Sequence, residues 1–406
     1  MNLEIIKGGV TSPKGFKSSG VSTGLRKENA KDLALIFSDK ICTSCGVYTQ
    51  NKVKGAPILV TKEHLKDHKA QAVIINSGNA NTCTGDKGIE NAEKMCSSSG
   101  EILDLKGSDV LVASTGVIGV QLDIDTINKT IPTLVESLSK KGYIDSTRAI
   151  MTTDTVPKTA ALKLQLGGKT VTIGAMTKGS GMIHPNMATM LCFITTDANI
   201  SSELLYKALK ESVKISYNRI SVDRDTSTND MALIMANGLA ENPIIEDENE
   251  DYKLFCEALK TMNVHLAKMM AKDGEGATKL VECKVINASN EKDAETLGKS
   301  VISSNLVKTA MFGCDANWGR ILDAMGYAGP DFNINKLQLS VESKSGSIEV
   351  FKNGNPIEFS EELAAKILSE NEVLILANMN SGSYTVSCWG CDLTYDYVKI
   401  NGSYRS

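Results

Sequence analysis

Apolar residues recur along this chain with two periods. Ala72-Val-Ile-Ile-Asn76 and Val110-Leu-Val-Ala-Ser114 are short, nearly continuous apolar runs bounded by polar or glycine residues, which predicts buried strands. Between them, Ile89 to Leu105 reads as a helix. Ile124, Ile127, Ile131, Leu134, Val135 and Leu138 fall at helical spacing, with Pro132 inside the run weakening its first turn. Leu204, Leu205, Ala208, Leu209 and Val213 form another stripe, capped by Ser201 or Ser202, and Leu254 to Met270 forms a further one. From about residue 335 the pattern turns to strands. Leu337, Leu339 and Val341 alternate, as do Ile348 and Val350, Val373 to Leu376 is a buried run, and a helix at Glu361 to Leu368 separates them. Helices and strands mixed in this way predict an α/β or α+β protein. The acidic stretch Glu241 to Asp251 is the clearest linker candidate and reads as a solvated loop.

Composition narrows the function classes. The 406 residues are 42% apolar and 23% charged, ordinary globular usage, and suffice for two domains or one domain with a sizeable lobe. A net charge of −4 and 5% aromatics give no pull toward nucleic acid or an anionic membrane and no base-stacking surface. The N-terminus lacks the basic and apolar regions of a signal peptide, and no run reaches the ~20 apolar residues of a membrane span, so a soluble cytoplasmic protein is expected. The cysteine pairs Cys42/Cys45 and Cys388/Cys391 have CxxC spacing but stand at opposite ends of the chain, so buried reduced thiols are expected rather than a metal site. Gly298-Lys299-Ser300 and Gly168-Lys169-Thr170 end like phosphate loops, yet Asp293 and Lys163 stand where the first glycine belongs. Asp223, Asp225 and Asp230 suggest a turn with Asx hydrogen bonds. Only four histidines exist: His64 and His68, expected to share a helix face as a surface pair, with His184 and His265; no Gly-x-Ser-x-Gly elbow accompanies them.

The stretch that carries chemistry is Thr177-Lys-Gly-Ser-Gly-Met-Ile-His-Pro-Asn-Met-Ala-Thr-Met-Leu-Cys-Phe-Ile-Thr-Thr196. A glycine-rich loop stiffened by Pro185 runs into an apolar strand whose first hydroxyl is Thr189. Such a threonine can attack the Ala188 carbonyl; the N→O acyl shift frees a new α-amine and leaves an ester, which water then splits to free the hydroxyl. With a reference pKa of ~7.7–8.0, that amine can take the hydroxyl proton, so the nucleophile carries its own base and needs no histidine. Residues alone leave a purely structural threonine equally open.

Lys178-Gly-Ser-Gly-Met-Ile-His-Pro-Asn-Met-Ala-Thr-Met-Leu191 resembles the cleavage motif of the ornithine acetyltransferase (glutamate N-acetyltransferase) family. Asn76-Ser-Gly-Asn-Ala-Asn81, Ser114-Thr-Gly-Val-Ile-Gly119, Ile150-Met-Thr-Thr-Asp-Thr155, Asp225-Thr-Ser-Thr-Asn-Asp230, Asp273-Gly-Glu-Gly-Ala-Thr-Lys279, Asn317-Trp-Gly-Arg320 and Tyr397-Val-Lys-Ile-Asn401 resemble further blocks, in family order. The resemblance implies an α/β sandwich of the self-processing aminopeptidase type, cut between Ala188 and Thr189 into chains 1–188 and 189–406 that assemble as α2β2. It implies acetyl transfer from N-acetylornithine to glutamate through acetyl-Thr189, with Thr115 and Gly116 as the oxyanion hole. Thr152 (or its neighbour Thr153), Lys178, Glu275, Asn401 and Ser406 would contact substrate. No metal and no tightly bound cofactor are implied, and acetyl-CoA enters only as a co-substrate of a bifunctional enzyme, which no motif here decides. Two rivals stand beside this: an amidase or aminopeptidase with an N-terminal nucleophile, and a redox or zinc protein using the CxxC pairs. Arg224 stands where the family pattern has Gly, and Ala316 where it has Pro.

Overall fold

The computed structural model describes residues 3–26, 29–184 and 190–403, which fall into two compact units. The first unit takes residues 1–179, 185–218 and 226–266; the second takes 180–184, 219–225 and 267–406.

The first unit is built on strands β1 (Glu4–Ile6), β2 (Phe16–Val21), β3 (Leu33–Tyr48), β4 (Lys69–Asn79), β5 (Val110–Val117), β6 (Lys158–Leu166), β7 (Lys169–Lys178) and β8 (Leu191–Thr196). The second unit contributes β9 (Ile220–Ser221), and β10 (Met231–Ala236) returns to the first. Among the described residues the first sheet runs β1-β6-β7-β8-β10-β3-β4-β5, with β2 also on β3. β3 is the corner. Its first half pairs with β2 and β4, its register slips between Phe37 and Cys42, and its second half pairs with β10.

Both faces of this sheet are covered, which is why its strands read as continuous apolar runs rather than alternating ones. Leu33, Leu35, Ala72, Ile74, Val110 and Val112 pack with residues of α1 (Ala56–His64), α2 (Gly85–Leu103) and α3 (Ile124–Glu136). The intervening Ala34, Ile36, Val73, Ile75, Leu111 and Ala113 point the other way, into a core shared with Met176, Leu191, Phe193, Met231, Leu233 and Met235 of the opposite limb. Two sheet limbs thus face each other across one core, a sandwich with helices outside. Ala149 and Ile150 of α4 (Tyr143–Ile150) are buried in that core too. α5 (Ser202–Ile215) opens with Leu204 N donating to the Ser201 hydroxyl, so Ser201 is its cap.

In the second unit β11 (Leu280–Ala288), β12 (Gln338–Ser343), β13 (Gly346–Lys352), β14 (Asn355–Pro356), β15 (Glu372–Asn378) and β16 (Tyr384–Cys391) join β9 in the order β14-β13-β12-β15-β11-β16-β9. α6 (Glu250–Lys272) ends here. α7 (Glu291–Ser303), α8 (Asn305–Phe312), α9 (Trp318–Gly326) and α10 (Glu361–Leu368) bury their apolar stripes on that sheet. α11 (Tyr395–Gly402) closes the described chain.

Glu241–Asp251 is largely the exposed loop expected, lying wholly within the first unit with Ile245 buried, and its last two residues already belong to α6. Two expectations change. His64 and His68 share no helix, since α1 stops at His64 and His68 sits in a turn with φ 59°. α3 also runs unbroken through Pro132. The CxxC thiols are buried and free. Burial pushes Cys42 and Cys388 up to about 12, and raises Cys45 and Cys391 as well. Among the described residues no His, Cys, Asp and Glu group could hold a metal, and no helix is long and apolar enough to cross a membrane.

Candidate active site

Thr115 and Gly116 end β5, parallel to β4, where the register shifts at Gly78 and Asn79. Gly116 has φ 135°, and a Cβ there would lie 2.2 Å from the Gly78 carbonyl carbon and 2.4 Å from Asn79 N, so any side chain would force the two strand ends apart. The Thr115 hydroxyl is half-exposed and has no hydrogen-bond partner among the described residues. A free hydroxyl beside a tightly approached backbone is suited to receive an oxyanion.

Lys178 is the last residue of β7, paired with Leu191, the first of β8. Its Nζ donates to Thr152 Oγ1 at 2.8 Å and lies 3.9 Å from Asp154 Oδ2. Thr152 lies in the turn between α4 and β6, so the turn and the β7 end meet through these two side chains. Thr152, rather than its neighbour Thr153, is the threonine that Lys178 touches. Ala188 and Thr189 lie outside the described residues, but Met190, covalently next to Thr189, is buried and its carbonyl accepts from Met231 N at 2.9 Å.

The sequence reading missed three residues that hold this half together. Asn229, 4% exposed, donates to Ala80 O at 2.6 Å and Ser114 O at 3.0 Å, tying the approach to β10 to the ends of β4 and β5. Arg26 donates to Met151 O at 2.7 Å and to the Ser77 hydroxyl at 3.3 Å, bracing the Thr152 turn. Asp154 is the third. Asn229 and Asp154 stand inside recognised blocks; Arg26 carried no signal in the pattern.

The second unit holds the other expected residues. Glu275 is 7% exposed; its N–H donates to Ser180 O at 3.0 Å, and Asn401 Nδ2 donates to its Oε2 at 2.7 Å. Gly181 is what makes room for it, since a Cβ there would fall 2.3–2.4 Å from the Glu275 carboxyl atoms. The same segment is fastened by Asp223, which accepts from Met182 N at 2.6 Å and Ile183 N at 2.8 Å. Asp223 Oδ1 also accepts from Asp225 N at 3.3 Å, the Asx turn that the aspartate spacing suggested. Glu275 and Asn401 therefore meet, as do Lys178 and Thr152. Ser406 lies outside the described residues.

A family model described as the ArgJ family matches residues 17–406. The "Arginine biosynthesis bifunctional protein ArgJ" of Caldanaerobacter subterraneus subsp. tengcongensis is 51% identical over 404 residues, covering 100% of both chains. The "Arginine biosynthesis bifunctional protein ArgJ 1" of Clostridium acetobutylicum is 53% identical over 397 residues, covering 98% of this chain and 97% of its own. Among solved structures, the crystal structure of "Arginine biosynthesis bifunctional protein argJ" from Bacillus halodurans is 46% identical with a TM-score of 0.50, covering 52% of this chain and 98% of that chain.

Proposed function

The chain belongs to the ArgJ family, and from that premise we propose that it transfers acetyl from N-acetyl-L-ornithine to L-glutamate through an acetyl ester on Thr189, after cutting itself between Ala188 and Thr189. The observation that carries this is the meeting of Lys178 and Thr152 at the β7 end, against the strand that begins two residues after Thr189. An ammonium and a hydroxyl held together at 2.8 Å suit an α-carboxylate. Glu275, steadied by Asn401, suits an amine.

In the reaction, the Thr189 hydroxyl attacks the acetyl carbonyl of N-acetylornithine while its own α-amine takes the proton. The Thr115 hydroxyl and the Gly116 N–H stabilise the tetrahedral oxyanion. The amide C–N bond breaks, the proton passes to the departing nitrogen, and ornithine leaves. Glutamate's amine then attacks the ester, returning the proton and releasing N-acetylglutamate. The relatives are named bifunctional, which supports acetyl-CoA as a second donor to the same threonine. Ser406 completes the substrate contacts in this scheme.

A cut after Ala188 divides the 406 residues into 188 and 218. The Bacillus halodurans chain, matched nearly whole by 52% of this one, is close in length to the longer product, which supports the cut. The two products would remain together and pair as α2β2 in the cytoplasm. Mass spectrometry of the purified protein tests the cut: chains of 1–188 and 189–406 are expected, and an intact 43.6 kDa polypeptide with full activity in Thr189→Ala would sink the proposal. Assays of N-acetylornithine with and without glutamate separate transfer from hydrolysis: an amidase would release acetate to water at the same rate in both.

A further inference from the structure

Behind Lys178 and Thr152 lies a buried charge cluster to which the reaction above assigns no part. The side chains of Asp154 and Lys158 are fully buried, and Lys158 Nζ meets Asp154 Oδ1 at 2.7 Å. The same oxygen accepts from Gly179 N at 2.7 Å. The other, Oδ2, accepts from Thr152 N at 3.1 Å. One carboxylate therefore fixes the backbone of Thr152 and the backbone immediately after Lys178. Lys178 itself stays 3.9 Å from Oδ2, with its ammonium on the Thr152 hydroxyl. Burial opposes ionisation of Asp154, but the nearby Lys178 and Lys158 ammoniums and the Gly179 N–H outweigh it and hold the carboxyl down at about 2. The carboxylate is charged at any working pH.

A buried carboxylate without a matched cation draws in the nearest one. Here that would be Lys178. We propose that Asp154 and Lys158 are a positioning pair for an α-carboxylate site: Lys158 satisfies Asp154, so that Lys178 remains beside Thr152 and directed at the ligand's carboxylate instead of collapsing onto Asp154. This rests on the reading of Lys178 and Thr152 as the carboxylate-binding residues. It adds that the geometry of those two is set by residues that never touch substrate.

The pair makes an unusual prediction about combined substitutions. Lys158→Met leaves Asp154 to capture Lys178, so binding of the amino-acid carboxylate weakens by about tenfold or more. Asp154→Asn in the same chain removes the charge of the trap while its single amide oxygen keeps an acceptor for one of the two backbone N–H groups, Gly179 N or Thr152 N. The double variant therefore binds more tightly than Lys158→Met alone. A purely structural pair predicts the reverse, since two buried substitutions then add their damage. The experiment is calorimetric titration of the processed protein with L-glutamate, with KM and kcat measured in parallel using N-acetylornithine as donor. Expected are a raised KM with kcat changed far less in Lys158→Met, and recovery of both Kd and KM in the double variant. Wild-type affinity in Lys158→Met, or a double variant no better than the single, overturns the proposal. If Lys158→Met does not accumulate as folded protein, Asp154→Glu serves instead: it keeps the charge, displaces it by one methylene, and is expected to raise KM, an unchanged KM overturning the idea. Wild-type protein that binds glutamate yet transfers no acetyl refutes the transferase reading while leaving the titrations to decide the role of the pair.

Discussion

The Thr115 side chain is half-exposed where β5 ends against β4, and its hydroxyl is the expected oxyanion donor. Thr115→Val should therefore lower kcat by ~10²–10³-fold with little loss of stability, read by steady-state kinetics and thermal melting together. Arg224 occupies a position with φ 69°, where the family pattern has glycine. A left-handed arginine is strained, so Arg224→Gly should raise stability by roughly 0.5–1 kcal/mol, the relief exceeding glycine's entropic cost. A drop in the denaturation midpoint would show that the φ is not strained. His184 is held at about 4, first by burial and then by the positive Lys299 and Arg224. The unfolded chain protonates this group near its usual 6.5 and the native protein only near 4, so stability falls as pH drops through that window. The contribution is about 2 kcal/mol between pH 7.5 and 5, and is absent from His184→Gln in denaturant titrations at the two pH values.

At the scale of elements, the local signals and the tertiary structure agree where a stripe or cap is strong. Ser201 was one of two caps the sequence offered for α5, and its hydroxyl accepts from Leu204 N; Ser201→Ala should cost about 1 kcal/mol. α3 keeps its helix through Pro132 because Ile127, Ile131 and Leu134 are buried together on the sheet. The Ser180–His184 segment shows the opposite dependence. Its shape is imposed by Asp223 and by the space Glu275 needs beside Gly181. Gly181→Ala should displace the Glu275 carboxyl and raise KM for the amine-bearing substrate while leaving the cores intact; a wild-type KM would show that Glu275 does not bind substrate.

Across the whole molecule, the proposed cut and the structural units do not coincide. β8 and β10, which follow Thr189, lie in the first unit's sheet, with β8 paired antiparallel to β7 from Lys178–Leu191 to Ile173–Thr196 and β10 paired to β3. The two products would thus share one sheet and one core. They should co-migrate through gel filtration after complete processing and separate only in denaturant; dissociation in native buffer would contradict this topology.

How much was legible follows from range. Apolar periodicity foretold β4, β5, α2, α3, α5 and the strands after residue 335, because each is specified by its own side chains. Ordered motif blocks pointed to the family, and the resemblance supplied Thr115, Gly116, Lys178 and Glu275 as expected site residues. What the sequence could not show is what depends on partners far along the chain. β3 as a corner strand, buried on both faces, looks locally like any apolar run. The acidic stretch before α6 is the exposed loop its charges suggest, and the burial of Ile245 within it depends on contacts outside it. Asp154 stands inside a motif block, but nothing near it in sequence marks its carboxylate as buried. Only the tertiary structure brings it under Lys178, 24 residues away, against Lys158 and the Gly179 N–H, since a buried charge is defined by what folding removes from water around it.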